Sequence, residues 1–124
     1  MKACGIELVV TDQDIDDIMS TALDGAIAYW CMRAEVVGNY LGEYASNQIS
    51  RGGSLALYCF GEKKGYELTK EKFLEGVQKI VNEGPGMVFV YREADKLLLE
   101  CSFIDSEAAD LIVQYALFGE EVYG

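Results

Sequence analysis

Residues 6–10 are dominated by apolar and β-branched side chains; Thr11 and the acidic turn Asp12-Gln13-Asp14 follow, and apolar residues then return at three- and four-residue steps. The first run predicts a strand and the second a helix capped by the Thr11 hydroxyl. That helix sets Ile15, Ile18, Met19, Ala22, Ala26, Tyr29 and Trp30 on one side and Asp16, Asp17, Ser20 and Asp24 on the other, with Leu23 and Ile27 widening its apolar arc. A second helical stripe is read in Val37, Tyr40, Leu41, Tyr44, Ala45 and Ile49, with Gly52-Gly53 as its left-handed stop. Residues 54–60 are apolar on both alternating faces, as an internal strand is, and a glycine-containing turn returns the chain as a short strand at 66–68. Thr69 caps a third helix with Phe73, Leu74, Val77, Ile80 and Val81 inward, and Gly84-Pro85-Gly86 ends it.

The chain then predicts a second hairpin, 87–91 with 96–103, around Arg92-Glu93-Ala94-Asp95. Asp105 or Ser106 caps a last helix that buries Ala108, Leu111, Ile112, Tyr115 and Phe118 and closes at Gly119. With no repeat or linker in 124 residues, this pattern predicts one domain spanning residues 1–124. Its class is α+β, with a mostly antiparallel sheet of about five strands and about four helices.

Charge narrows the partners. Twenty-one acids against ten bases give a net charge of −11, a field that repels phosphate backbones and anionic lipid and suits a basic protein. Direct nucleic-acid binding is therefore not expected. No apolar run approaches the roughly 18 to 20 residues a membrane-spanning helix needs. Cys4, Cys31, Cys59 and Cys101 are widely spaced and sit among apolar residues, which predicts reduced thiols in a cytoplasm and offers no Cys-x-x-Cys metal or redox motif. The first residues lead straight into a strand, without an apolar signal segment.

Histidine is absent, which removes Ser-His-Asp, Cys-His and HExxH chemistry together. No phosphate loop of the Walker or GxGxxG type occurs. The acids at 12, 14 and 16 begin like a calcium loop, but Asp17 stands where that loop needs glycine and Leu23 where it needs a bidentate glutamate. The expectation is a protein that is not an enzyme, with no catalytic residues, no metal site and no cofactor.

One segment gathers groups that stack on a base and hold phosphate: Tyr29, Trp30 and Arg33, then Tyr44, then Arg51 with Gly52 and Gly53. These seven are the candidate ligand-binding residues. Gly38 and Gly42 stand four apart on the predicted second helix, where each costs about 1 kcal/mol relative to alanine, so close packing of another helix and a homo-oligomer are expected there.

The stretches Asp14-Ile15-Asp16-Asp17-Ile18, Tyr29-Trp30-Cys31, Ala34-Glu35-Val36-Val37-Gly38, Tyr40-Leu41-Gly42-Glu43-Tyr44, Ser50-Arg51-Gly52-Gly53 and the closing residues 109–119 carry a resemblance. The chain resembles a family of small proteins from phages and prophages of Gram-positive gut bacteria. The resemblance carries over no functional residue. It implies a non-catalytic accessory protein in the host cytoplasm, with counter-defence as its natural role. In one form a homo-oligomer sequesters a small nucleotide immune signal, with Tyr29 or Trp30 on the base and Arg33, Arg51 and the Gly52-Gly53 amides on phosphate. In the alternative an acidic inhibitor covers the nucleic-acid groove of a basic host effector, as anti-CRISPR proteins do; a structural or regulatory phage protein is the third form.

Overall fold

Two small sheets and three helices close around one core in the computed structural model, which describes residues 1–124. Strand β1 (Lys2–Ala3) turns at Cys4 and Gly5, both at positive φ, into β2 (Ile6–Val9). The predicted cap forms: the Thr11 hydroxyl accepts from the Asp14 amide, the Asp14 carboxylate accepts from the Thr11 amide, and α1 (Asp12–Thr21) begins. Ile15, Ile18 and Met19 are fully buried. The helix then loosens into a π-helical turn, Ala22–Ala26, broken by Gly25 at φ 142°, where a side chain would strain the backbone.

Here the structure departs from the predicted pattern. Tyr29 and Trp30 lie in the turn after the helix, and the next element is β3 (Cys31–Val37), followed by a loop and a 3-10 turn, Ala45–Asn47. No second helix forms over 37–49. Gly38 sits at φ 77° and ends the strand, so Gly38 and Gly42 share no helix face and the expected helix-to-helix packing through them has no basis. Val37, Tyr40, Leu41 and Tyr44 imitate a buried stripe while standing exposed. Gln48, fully buried, pins this loop by accepting the Leu41 amide at 2.8 Å and donating to the Tyr44 carbonyl at 2.9 Å.

The predicted hairpin follows as β4 (Ser54–Cys59) and β5 (Gly65–Thr69), and with β3 they form an antiparallel sheet ordered β3-β4-β5. Leu55, Leu57 and Leu68 face the core; Tyr58 lies on the outer face over Gly65, where a Cβ would come within 2.9 Å of its ring. Thr69 caps α2 (Lys70–Asn82), and Asp105 caps α3 (Ser106–Phe118), which ends on left-handed Gly119. These two helices pack closely at Gly76, where a Cβ would lie 2.7 Å from the Ala116 amide nitrogen.

The second predicted hairpin is shorter than its apolar pattern, β6 (Val90–Glu93) with β7 (Lys96–Leu99), because 3-10 turns take up Pro85–Phe89 and Cys101–Phe103. The other sheet is ordered β1-β2-β7-β6, with β2 parallel to β7 and its other pairs antiparallel. The α+β class and the dominance of antiparallel pairing therefore hold, with seven strands in two sheets and three α-helices in place of about five and four. No helix is long and apolar enough to cross a membrane.

Candidate functional site

The seven residues singled out by sequence do not meet. Trp30 is 2% exposed; its indole N–H donates to Asp110 at 2.6 Å, and its ring stacks parallel to Tyr123 at 5.3 Å with Phe118 edge-on at 5.9 Å. No face of it is left for a ligand. Tyr29 sends its hydroxyl to the same carboxylate at 2.5 Å and to the Tyr123 carbonyl at 3.0 Å; burial first, and then Asp110, push that hydroxyl up to about 12. Gln114 completes the cluster, its amide nitrogen donating to Asp110 and to the Tyr123 carbonyl, its oxygen accepting the Val122 and Tyr123 amides. This is a clasp holding residues 122–123 over the core.

Arg33 lies on the outer face of β3, 4.0 Å over the Tyr58 ring and 2.7 Å from Glu35, and the Glu35 carboxylate holds its guanidinium more firmly protonated. Arg51 is at the other end of the same sheet, just before β4, exposed and lying across Gly42, whose missing side chain leaves it room. Gly52 takes φ 87°, and its amide is spent on the Ile49 carbonyl at 3.1 Å; that of Gly53 is spent on the Gln48 carbonyl at 2.8 Å. With both donors occupied within the turn, the expected phosphate cradle is absent.

Tyr44 does line a surface depression. About 370 Å³ in volume, it is formed with Ser20, Leu23, Asp24, Ala45 and Ser46. A second one of about 420 Å³ adjoins it through Ser20 and is lined by Asp17, Ile18, Thr21, Cys101, Ser102 and Ile104. The outer side of α1 and of the π-helical turn that continues it is thus the ridge between two hollows, α1 presenting Asp17, Ser20 and Thr21 and the turn Asp24. Neither hollow has a lysine or arginine in its lining.

Cys101 lies at the floor of this surface, half-buried and beside carboxylates. Its thiol donates to the Asp14 carboxylate at 3.3 Å, and burial, then Asp14, with Asp17 and Glu100 beyond, push it up to about 12. It is a neutral thiol donor at ordinary pH. Sequence reading placed Asp16, Asp17, Ser20 and Asp24 on the wet side of the helix and took no site from them; missing was any sign that 101–104 and 44–46, remote in sequence, wall that side into hollows.

No protein-family model, curated protein or solved structure matches the chain, so the reading of its surface rests on its own geometry.

Proposed function

We propose that this chain is a binding protein that docks on a basic surface of another protein through the α1 ridge, as an acidic inhibitor covers a nucleic-acid groove. The observation that carries it is the pair of adjoining hollows bearing Asp17 and Asp24 among hydroxyls, with no cation in either lining. Carboxylates on a concave, hydroxyl-lined surface favour guanidinium and ammonium side chains, and a net charge of −11 steers such a partner in from a distance. Tyr44, 61% exposed at the edge of one hollow, supplies a flat face for an arginine. Counter-defence within a phage-infected cell is the setting this reading suits.

Nucleotide sequestration receives less support. It needs Tyr29 or Trp30 with Arg33, Arg51 and the Gly52-Gly53 amides around one ligand, whereas Trp30 is core, the Tyr29 hydroxyl is held by Asp110, the two arginines stand at opposite ends of a sheet, and both amides are spent.

The test is binding of a synthetic arginine-rich peptide, followed by calorimetry across a salt series. Asp17→Lys/Asp24→Lys should weaken binding at least tenfold more than Glu75→Lys/Glu120→Lys, which changes net charge equally at exposed positions outside both hollows. Equal losses in the two variants would mean that charge alone, and not the ridge, attracts the peptide.

A further inference from the structure

The outer edge of β3 is unpaired. In the order β3-β4-β5 that strand pairs only with β4, so past Cys31, whose amide is taken by the Ile27 carbonyl, alternate residues turn backbone groups to an open edge, a template for another strand. Burial falls away toward this edge. Leu55 and Leu57 on β4 are fully covered, yet Val36 and Ala34, their register partners on the same inward face of β3, are only half-buried. Beneath the edge runs a groove of about 160 Å³ lined largely by apolar residues, among them Leu23, Ile27, Ala28 and Met32. Met32 and Val37, each 48% exposed, flank the segment.

The sequence of the strand says what fits. If two copies of β3 pair antiparallel about a two-fold axis normal to the sheet, side chains stay on their own faces and the axis must pass between identical residues. Centring on Arg33 sets arginine against arginine, and centring on Glu35 sets glutamate against glutamate. Centring on Ala34 sets Arg33 opposite the partner's Glu35 and Glu35 opposite the partner's Arg33, with Ala34 on the axis. The same register carries the partner's Val36 toward Met32 at the bulge, beside the apolar groove. A bulge between Cys31 and Arg33 marks where regular pairing stops, so the regular ladder across the axis is Arg33–Glu35, with the partner's Val36 just beyond it.

We propose that β3 is a homodimer interface, two copies joining edge to edge about Ala34 into one six-stranded sheet. The dimer does not rest on the basic-partner reading, and the two surfaces share only Leu23, which lines both a hollow and the groove. Each chain already pairs Arg33 with its own Glu35 at 2.7 Å, so this register joins two such pairs into a ring of alternating charge, and the partner's Val36 covers the groove beside Met32.

The experiment is sedimentation equilibrium at micromolar concentration in moderate salt. Wild type should be a dimer. Arg33→Glu and Glu35→Arg should each raise the dissociation constant at least tenfold by opposing like charges, and the double swap should restore dimerisation because it is again self-complementary. Both side chains are about half exposed, at 50% and 51%, so the variants should fold, which circular dichroism checks. In a Cys4→Ser background, which removes the exposed native thiol, Ala34→Cys under mild oxidation should give a disulfide-linked dimer that the background alone does not give, since a residue on the axis faces its own copy within the span a disulfide bridges. A monomeric wild type, a dimer indifferent to both single swaps, or a folded double swap that stays monomeric overturns the proposal.

Discussion

Asp110 anchors the clasp, and its replacement by alanine tests whether that cluster closes the core. The carboxylate is 6% exposed, has no ion-pair partner, and receives Trp30, Tyr29 and Gln114. In Asp110→Ala, Tyr29 keeps the Tyr123 carbonyl at 3.0 Å and Gln114 keeps the same acceptor, but the Trp30 N–H has no other partner. A buried orphan donor costs about 1–3 kcal/mol, and loss of the charge-assisted bonds adds to it. Alanine's better helix propensity returns about 0.5 kcal/mol, and relief of the buried carboxylate offsets part of the rest. The expected net loss is about 2 kcal/mol, or roughly 8 °C in Tm for a domain of this size. Asp110→Asn keeps an acceptor for Trp30 and should lose about half as much. Urea unfolding followed by tryptophan emission is the assay, because Trp30 is the only tryptophan and should also shift to the red. Stability within about 0.5 kcal/mol of the parent for Asp110→Ala would show that the cluster is incidental.

Gly76→Ala forces a Cβ to 2.7 Å from the Ala116 backbone, so despite a propensity gain near 1 kcal/mol it should destabilise by about 1–2 kcal/mol; calorimetry showing a raised Tm refutes close packing there. Gln48→Ala strips the Leu41 amide and Tyr44 carbonyl of their partner and should speed proteolysis within 38–46 while costing about 1–2 kcal/mol; an unchanged cleavage pattern counts against the pinning role. The Tyr29 hydroxyl and the Cys101 thiol, both raised to about 12 from ordinary values of 10 and 9, favour the folded state only while protonated. Stability should therefore hold below pH 9 and fall as pH rises through 9 to 12; a urea midpoint at about pH 11 equal to that at about pH 8 contradicts the sign.

Local signals were legible where they and burial agreed. The caps at Thr11, Thr69 and Asp105, the stop at Gly119 and the two hairpins are written in the chain and appear where expected. Over 37–49 the helical spacing of Val37, Tyr40, Leu41 and Tyr44 predicts a buried face, but those side chains are exposed. Two glycines and the β-branched pair Val36-Val37 argued for strand and turn. The candidate ligand residues, near each other in sequence, are spread apart by β3, which sets Arg33 and Arg51 at opposite ends of a sheet, while Asp110 and Tyr123, far along the chain, claim Trp30. The acidic hollows could not be seen at all, since their walls come from α1, 44–46 and 101–104.

The parallel pairing of β2 with β7 orders the events of folding. Leu8 must find Leu97 across most of the chain, a closure whose entropy is lost before its contacts form, whereas β3, β4 and β5 are consecutive, joined by the loop over 38–53 and the turn over 60–64. The three-stranded meander should therefore form early and the four-stranded sheet late. In pulse-labelled hydrogen exchange during refolding, β4 amides should gain protection before those of β2, and protection appearing in both at once would refute that order.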